Sequence, residues 1–208
     1  MKVGGESTIS NDAVKEKTGK SWGEWFKILD EWGAKEKSHK LMARYLVDEW
    51  TVSGWWAQTI TIRYEQERGL RAVGQRSGGK FTVSLQRTIN ISPELAYDAI
   101  INPDLVSKWL EKPVKLDALE GGCFEFENGI QGEYLILKQP TRIRMLWRSS
   151  EIDKATQIDI TLEEKANSRV TVRINHSKIK DEANYKKLKT YWTTAIDALK
   201  KLLENRED

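Results

Sequence analysis

From Cys123 to His176 the chain alternates, and that alternation constrains the fold more than any other feature. Phe124 and Phe126 oppose Glu125 and Glu127. Tyr134 and Ile136 continue the apolar side. Ile143, Met145 and Trp147 oppose Arg142, Arg144 and Arg148. Ile158, Ile160 and Leu162 oppose Gln157, Asp159 and Thr161, and Val170, Val172 and Ile174 oppose Arg169, Thr171 and Arg173. Successive strand side chains point to opposite faces, so this period of two predicts half-buried strands with one apolar and one solvated face. The expected strands are Cys123–Glu127, Gln131–Leu137, Arg142–Arg148, Thr156–Glu163 and Arg169–His176, with Phe81–Ile91 ahead of them. Asn128-Gly129 is a strong hairpin signal between the first two of the run.

An apolar sheet face has to be covered. The one long amphipathic element available is Asp181–Asn205, with Tyr185, Leu188, Trp192, Ala195, Ile196, Leu199 and Leu203 along one side. Two short helices lie between the first strand and the rest. Ser92-Pro93-Glu94 caps and starts one over Pro93–Ile100, and Asn102-Pro103-Asp104 starts another ending near Trp109. Residues 80–208 therefore read as an α+β domain in which a curved antiparallel sheet grips a long C-terminal helix.

The chain before this reads as a small all-α domain, residues 1–70, with a Gly- and Ser-containing linker at 71–79. Ser21 and Glu24 fit a capping box for a helix that carries Trp22, Trp25, Phe26 and Leu29 and stops at Gly33. Ser38 caps the next, with Leu41, Tyr45 and Leu46 on one face. Ser53 caps a third from Gly54 to Arg68. Its Thr59–Ile62 centre suits a strand by propensity, but Trp56, Ile60 and Tyr64 recur four apart, which favours helix. Asn11–Lys17 suggests a short opening helix. Six of nine tryptophans lie in the first 56 residues. So small a domain seldom buries six fully, and Trp55 and Trp56 point about 100° apart on a helix. These two are therefore candidate interface residues.

Several function classes are disfavoured. Basic and acidic residues number 34 and 31 and are interspersed, so no charged block argues for nucleic acid or membrane partners. The segment Leu41–Arg68 has a helix-turn-helix outline offering Gln58, Thr59, Thr61 and Arg63, but no basic stripe accompanies it; DNA binding is the minor reading. The single cysteine, Cys123, excludes an intrachain disulfide and fits a reducing cytoplasm. With two histidines it cannot build a zinc site of the usual kind, and neither metal nor cofactor is expected. The first residues lack the apolar core of a signal peptide. No apolar run reaches the roughly 18 residues a membrane span needs.

His176 is the one titratable group that alternation places inside. A histidine satisfied at a strand end is the ordinary reading; a ligand anchor or acid–base residue at a cavity mouth is the sharper one. Glu125, Glu127 and Glu133 fall outside, where cross-strand pairing with neighbours such as Arg142 and Arg144 accounts for them. No nucleophile stands beside His176 by any known spacing. Nothing specifies a reaction, so no catalytic residue is assigned.

The order and spacing of Arg87-Thr88-Ile89, Ser92-Pro93-Glu94, Asn102-Pro103-Asp104 with Trp109, Gly121-Gly122-Cys123-Phe124, Gly132-Glu133-Tyr134, Trp147, His176 and Trp192 resemble the START/SRPBCC superfamily with its Bet v 1-like helix-grip fold. Within it they resemble most the homologues of the heat-shock-protein-90 ATPase activator. The likeness spans Phe81–Leu203. Lys17–Trp22 and Val52–Gln58 are similar to a Trp-rich bacterial domain of uncharacterised function. The superfamily resemblance implies a cavity between sheet and helix for a small apolar or aromatic molecule. Phe124, Phe126, Tyr134, Ile136, Met145, Trp147, Ile158, Ile160, Val172, Ile174, Tyr185, Leu188, Trp192 and Ile196 would line it, with His176 as polar anchor. The activator resemblance implies instead a protein–protein module with a filled core. A void beneath Trp147 and Trp192 would separate the two.

Overall fold

The computed structural model describes residues 9–76, 79–150 and 152–205. The chain divides into two compact units, with the division between Val73 and Gly74. Ser77 and Gly78 of the expected linker lie outside the described residues.

The first unit is helical: α1 (Asn11–Thr18), α2 (Trp22–Glu31), a single 3-10 turn at Ala34–Glu36, α3 (His39–Trp50) and α4 (Gly54–Glu67). The sequence dictates these boundaries through caps. Ser21 and Glu24 close a reciprocal capping box, satisfying amides that the first helical turn leaves without partners. Gly33 adopts φ +72°, a left-handed conformation that glycine takes without Cβ strain. The Thr59–Ile62 segment is helical: burial of Ala57, Ile60, Thr61 and Tyr64 on one face outweighs β-propensity. The core gathers Val14, Trp25, Leu29, Met42, Leu46, Ile60 and Tyr64. One expectation on α3 fails. Its buried face is Met42, Ala43 and Leu46, while Leu41 is 53% exposed. Leu41 lies one residue, or about 100° of helix, from Met42, and the face is set by what α2 and α4 offer.

The second unit is a seven-stranded antiparallel sheet among the described residues, ordered β1-β7-β6-β5-β4-β3-β2. The strands are β1 (Phe81–Ile89), β2 (Pro113–Leu116), β3 (Cys123–Phe126), β4 (Gln131–Lys138), β5 (Arg142–Ser149), β6 (Ile152–Lys165) and β7 (Arg169–Ile179). Helices α5 (Pro93–Ile101) and α6 (Pro103–Trp109) follow β1, and α7 (Glu182–Glu204) closes the unit. The edge strand β2 is not legible by alternation; it is four residues long and begins at a proline, as edge strands tolerate. Proline at the first position and the Ser92 and Asn102 side chains start α5 and α6 as expected. Trp109 is buried and its indole N–H donates to the Ala99 carbonyl at 2.8 Å, tying α6 to α5. Arg87 interrupts the apolar face of β1 because it reaches Asp197 of α7, Nε to Oδ1 2.7 Å. Helix α7 buries Tyr185, Trp192, Ala195, Ile196, Leu199 and Leu203, the stripe its period predicts.

Candidate functional site

The interior between sheet and α7 is aromatic. Trp147 of β5 packs on Trp192 of α7 with ring centroids 5.3 Å apart, and on Phe124 of β3 at 5.9 Å. Phe124 also contacts Phe126 and Tyr134, at 5.6 and 5.3 Å. These offset and tilted arrangements suit the ring quadrupoles. Gly132 of β4 makes room for them: a Cβ there would overlap the Phe124 ring and the Leu146 carbonyl oxygen.

A chain of hydrogen bonds crosses this apolar core. The Trp192 indole N–H donates to His176 Nδ1 at 2.8 Å. Because indole nitrogen is a donor only, Nδ1 is the unprotonated acceptor and Nε2 carries the proton. Nε2–H donates to Thr156 Oγ1 at 2.7 Å, and the Thr156 hydroxyl donates to the Trp147 carbonyl at 3.0 Å. His176 is wholly buried, and burial pushes its pKa down from 6.5 to about 3. It stays neutral at physiological pH, with both nitrogens engaged inside the protein. Thr156 escaped sequence reading, although its parity with Ile158 and Ile160 was available as a signal.

Most of the expected lining residues converge here. Phe124, Phe126, Tyr134, Met145, Trp147, Ile158, Ile160, Val172, Ile174, His176, Tyr185, Trp192 and Ile196 are buried, and Leu188 is half-buried. Ile136 departs from the expectation. A register shift between Tyr134 and Ile136 places Ile136 opposite Arg144, on the outer face, and Leu137 opposite the inward Ile143. One extra residue in β4 inverts the alternation beyond it.

The interior is closely packed around Trp147 and Trp192. Among Trp109, Phe124, Met145, Trp147, Ile160 and Trp192 the remaining space is about 20 Å³. That is room for about one water, against the roughly 300 Å³ or more of small-molecule sites. Two larger spaces are open clefts. One of about 370 Å³ lies where Ile130, Ser149, Leu188 and Tyr191 meet, and one of about 350 Å³ lies over Cys123, Gln131, Glu133 and Arg148. The Tyr191 hydroxyl is buried and makes no hydrogen bond among the described residues. Burial, reinforced by the neighbouring Glu111, raises its pKa far above the ordinary phenol range. Tyr191 escaped sequence reading because it stands beside Trp192, off the apolar stripe of α7.

On the outer face, Arg142 and Arg144 converge on Asp159 of β6, not on the glutamates of β3 and β4. Glu127 pairs with Lys112, and Glu133 stands opposite Leu146. The register aligns Arg144 with Asp159 directly, which alternation within single strands could not reveal.

In the helical unit Trp55 is 63% exposed, and its ring meets half-buried Trp56 edge-on at 4.8 Å. Trp25 is fully buried against Trp50, itself 38% exposed. Among the described residues no helix is long and apolar enough to cross a membrane.

Comparison with known proteins places this geometry. Residues 90–204 match the family described as Activator of Hsp90 ATPase homolog 1-like protein. An uncharacterized protein of Schizosaccharomyces pombe is 27% identical over 113 residues, which is 50% of this chain and 34% of that relative. The match thus spans about a third of the relative's length. Among solved structures, CalU16 from Micromonospora echinospora superposes with a TM-score of 0.57 at 20% identity, covering 65% of this chain and 85% of that one. The Aha1 dimer from Colwellia psychrerythraea gives 0.55 at 22% identity, covering 61% and 98%. At these identities the structures establish the fold.

Proposed function

Since the chain belongs to the Activator of Hsp90 ATPase homolog 1-like family through residues 90–204, we propose that its sheet-and-helix unit is a protein–protein interaction module that engages an Hsp90-type ATPase. The observation that carries this reading is the close packing around Trp147 and Trp192. With about 20 Å³ left beneath Trp147 and Trp192, the core serves to hold the surface in shape, and recognition falls to that surface. The Trp192–His176–Thr156 chain belongs to the same reading: it locks helix to sheet and engages both nitrogens of His176 within the protein. Trp55, the most exposed tryptophan, is a second surface of the same kind in the helical unit.

The test is direct. The purified chain is titrated into an Hsp90-type ATPase while binding heat and ATP turnover are followed. Saturable binding with a changed turnover rate is expected. An ATPase that neither binds the chain nor changes rate rules the reading out.

A second reading, capture of a small apolar or aromatic molecule, draws support from the cleft of about 370 Å³ beside Leu188 and Tyr191, which is of ligand size. Native mass spectrometry decides it. A co-purifying small molecule would favour it, and a bare chain with no thermal shift across an aromatic and lipid library would exclude it.

A further inference from the structure

The outer face of the sheet carries a concentrated positive charge that the chain-wide balance conceals. Cross-strand register aligns Lys138, Arg142, Thr161 and Arg173 in one row across β4, β5, β6 and β7. The adjacent row holds Ile136, Arg144, Asp159 and Asn175. Strands stand about 4.8 Å apart and successive outward residues about 7 Å along a strand. Four cations and one carboxylate therefore share a compact patch.

The single carboxylate bridges two arginines. Arg142 donates to it through Nε at 2.8 Å and Nη2 at 2.5 Å, and Arg144 through Nε at 3.1 Å and Nη2 at 2.7 Å. Three of these four bonds converge on Oδ2 and one reaches Oδ1, so both guanidiniums are held by the one carboxylate. Each guanidinium uses two of its five N–H donors there, which leaves donors of both free to face outward. Asp159 neutralises one of the two positive charges and fixes the orientation of both forks. Their side chains remain 38% and 31% exposed
. Arg173 is exposed and turned to a neutral acceptor, Gln86 Oε1, at 3.0 and 3.2 Å. Of the two flanking rows, one holds Glu163, which is paired with Lys165, and the other holds Glu133, opposite Leu146. The patch is thus a set of oriented guanidiniums with surplus charge, and planar forks of this kind match carboxylates in pairs.

We infer that this outer face of β4–β7 docks a carboxylate-rich surface of a partner protein. The inference rests on the interaction-module reading above and names the chemistry of the partner's contact. Charge complementarity chooses the occupant: surplus positive charge, held in place before contact, steers and registers an acidic surface. The composition favours protein over nucleic acid. The eight positions include no aromatic side chain on which a base could stack. The half-buried Ile136 and the neutral Thr161 and Asn175 supply the mixed apolar and polar ground usual beneath arginine contacts at protein interfaces.

The variant Lys138→Glu/Arg173→Glu tests this without touching the Asp159 clamp, so its fold is preserved; circular dichroism and thermal melting verify that. Two probes are used with the full chain. An isotope-labelled sample is titrated with hexaglutamate at about 50 mM salt, where the Debye length exceeds 10 Å. Saturable amide shifts confined to the outer rows of β4–β7 are expected, weakening several-fold at about 300 mM salt and vanishing in the variant. Binding to the Hsp90-type ATPase should weaken about tenfold in the variant, the effect of reversing two charges at a docking surface. Hexaglutamate shifts that are absent or map elsewhere would overturn the inference, as would ATPase binding unchanged by the variant. A duplex oligonucleotide bound more tightly than hexaglutamate would overturn it in favour of nucleic acid. If the wild-type chain binds hexaglutamate at the patch but binds no ATPase, the module reading fails while the docking surface stands.

Discussion

Acidification should destabilise this protein through His176, whose share a single substitution isolates. Burial holds its folded-state pKa at about 3, against 6.5 when unfolded. Between these values the unfolded chain binds a proton that the folded chain refuses. Stability therefore rises with pH across the window of about 3 to 6.5 and is lost as pH falls through it. At pH 4 the unfolded histidine is almost fully protonated and the folded one is about nine-tenths neutral. The linkage integral between pH 7.5 and pH 4 is then about 3 kcal/mol. The comparison that isolates it is His176→Gln. The glutamine carbonyl can accept from the Trp192 indole N–H, and its amide can donate to Thr156, so the hydrogen-bond chain survives without a titrating group. His39 is present in both proteins and cancels. Urea unfolding of both at pH 7.5, 6, 5 and 4 gives the stability difference at each pH. The wild type should lead at pH 7.5, by about 1–3 kcal/mol for its better-fitted core. That lead should shrink by about 3 kcal/mol at pH 4. Parallel stability curves would refute the reasoning, as would an imidazole resonance of His176 titrating near pH 6.5 in the folded state.

Three further outcomes follow from the same core. Trp192→Phe removes the donor to His176 Nδ1 and leaves a buried acceptor unpaired; urea unfolding should show a loss of about 1–3 kcal/mol, and a loss below about 0.5 kcal/mol would mean water replaces the indole. Tyr191→Phe removes a buried hydroxyl that has no partner; the melting temperature should hold or rise, and a clear fall would show that the hydroxyl is satisfied. Gly132→Ala drives a methyl group into the Phe124 ring and the Leu146 carbonyl; a destabilisation of about 1–3 kcal/mol or more is expected from overpacking, and a neutral result in calorimetry would mean the strand shifts freely.

Reading inward and outward directions from sequence succeeded where a side chain's direction follows from its own strand or helix. Alternation sent Phe124, Trp147, Ile160 and His176 inward, and helical period sent Trp192 and Ile196 to meet them. It failed where direction depends on a neighbour. The extra residue in β4 turned Ile136 outward, and no pattern within that strand announces it. The face shared by Leu41, Tyr45 and Leu46 is not the one α3 buries, because one helix seen alone does not say which of two adjacent stripes its partners will cover.

What the amino-acid order determined by itself is local and periodic: the capped helix starts at Ser21, Ser92 and Asp181, the hairpin at Asn128-Gly129, and an apolar sheet face that α7 must cover. These depend on backbone geometry and on residues within about one turn or one strand of each other. The tertiary structure alone decided three things. Volumes decided that only about 20 Å³ remains in the space among Trp109, Phe124, Trp147 and Trp192, because packing is a sum over residues from β3, β5 and α7 that no sequence window holds together. Proximity across strands decided that Thr156 and Trp192 occupy both nitrogens of His176. Register decided that Arg142 and Arg144 share Asp159 rather than the glutamates of β3 and β4. That last choice converts scattered charges, nearly balanced along the chain, into an oriented cationic face.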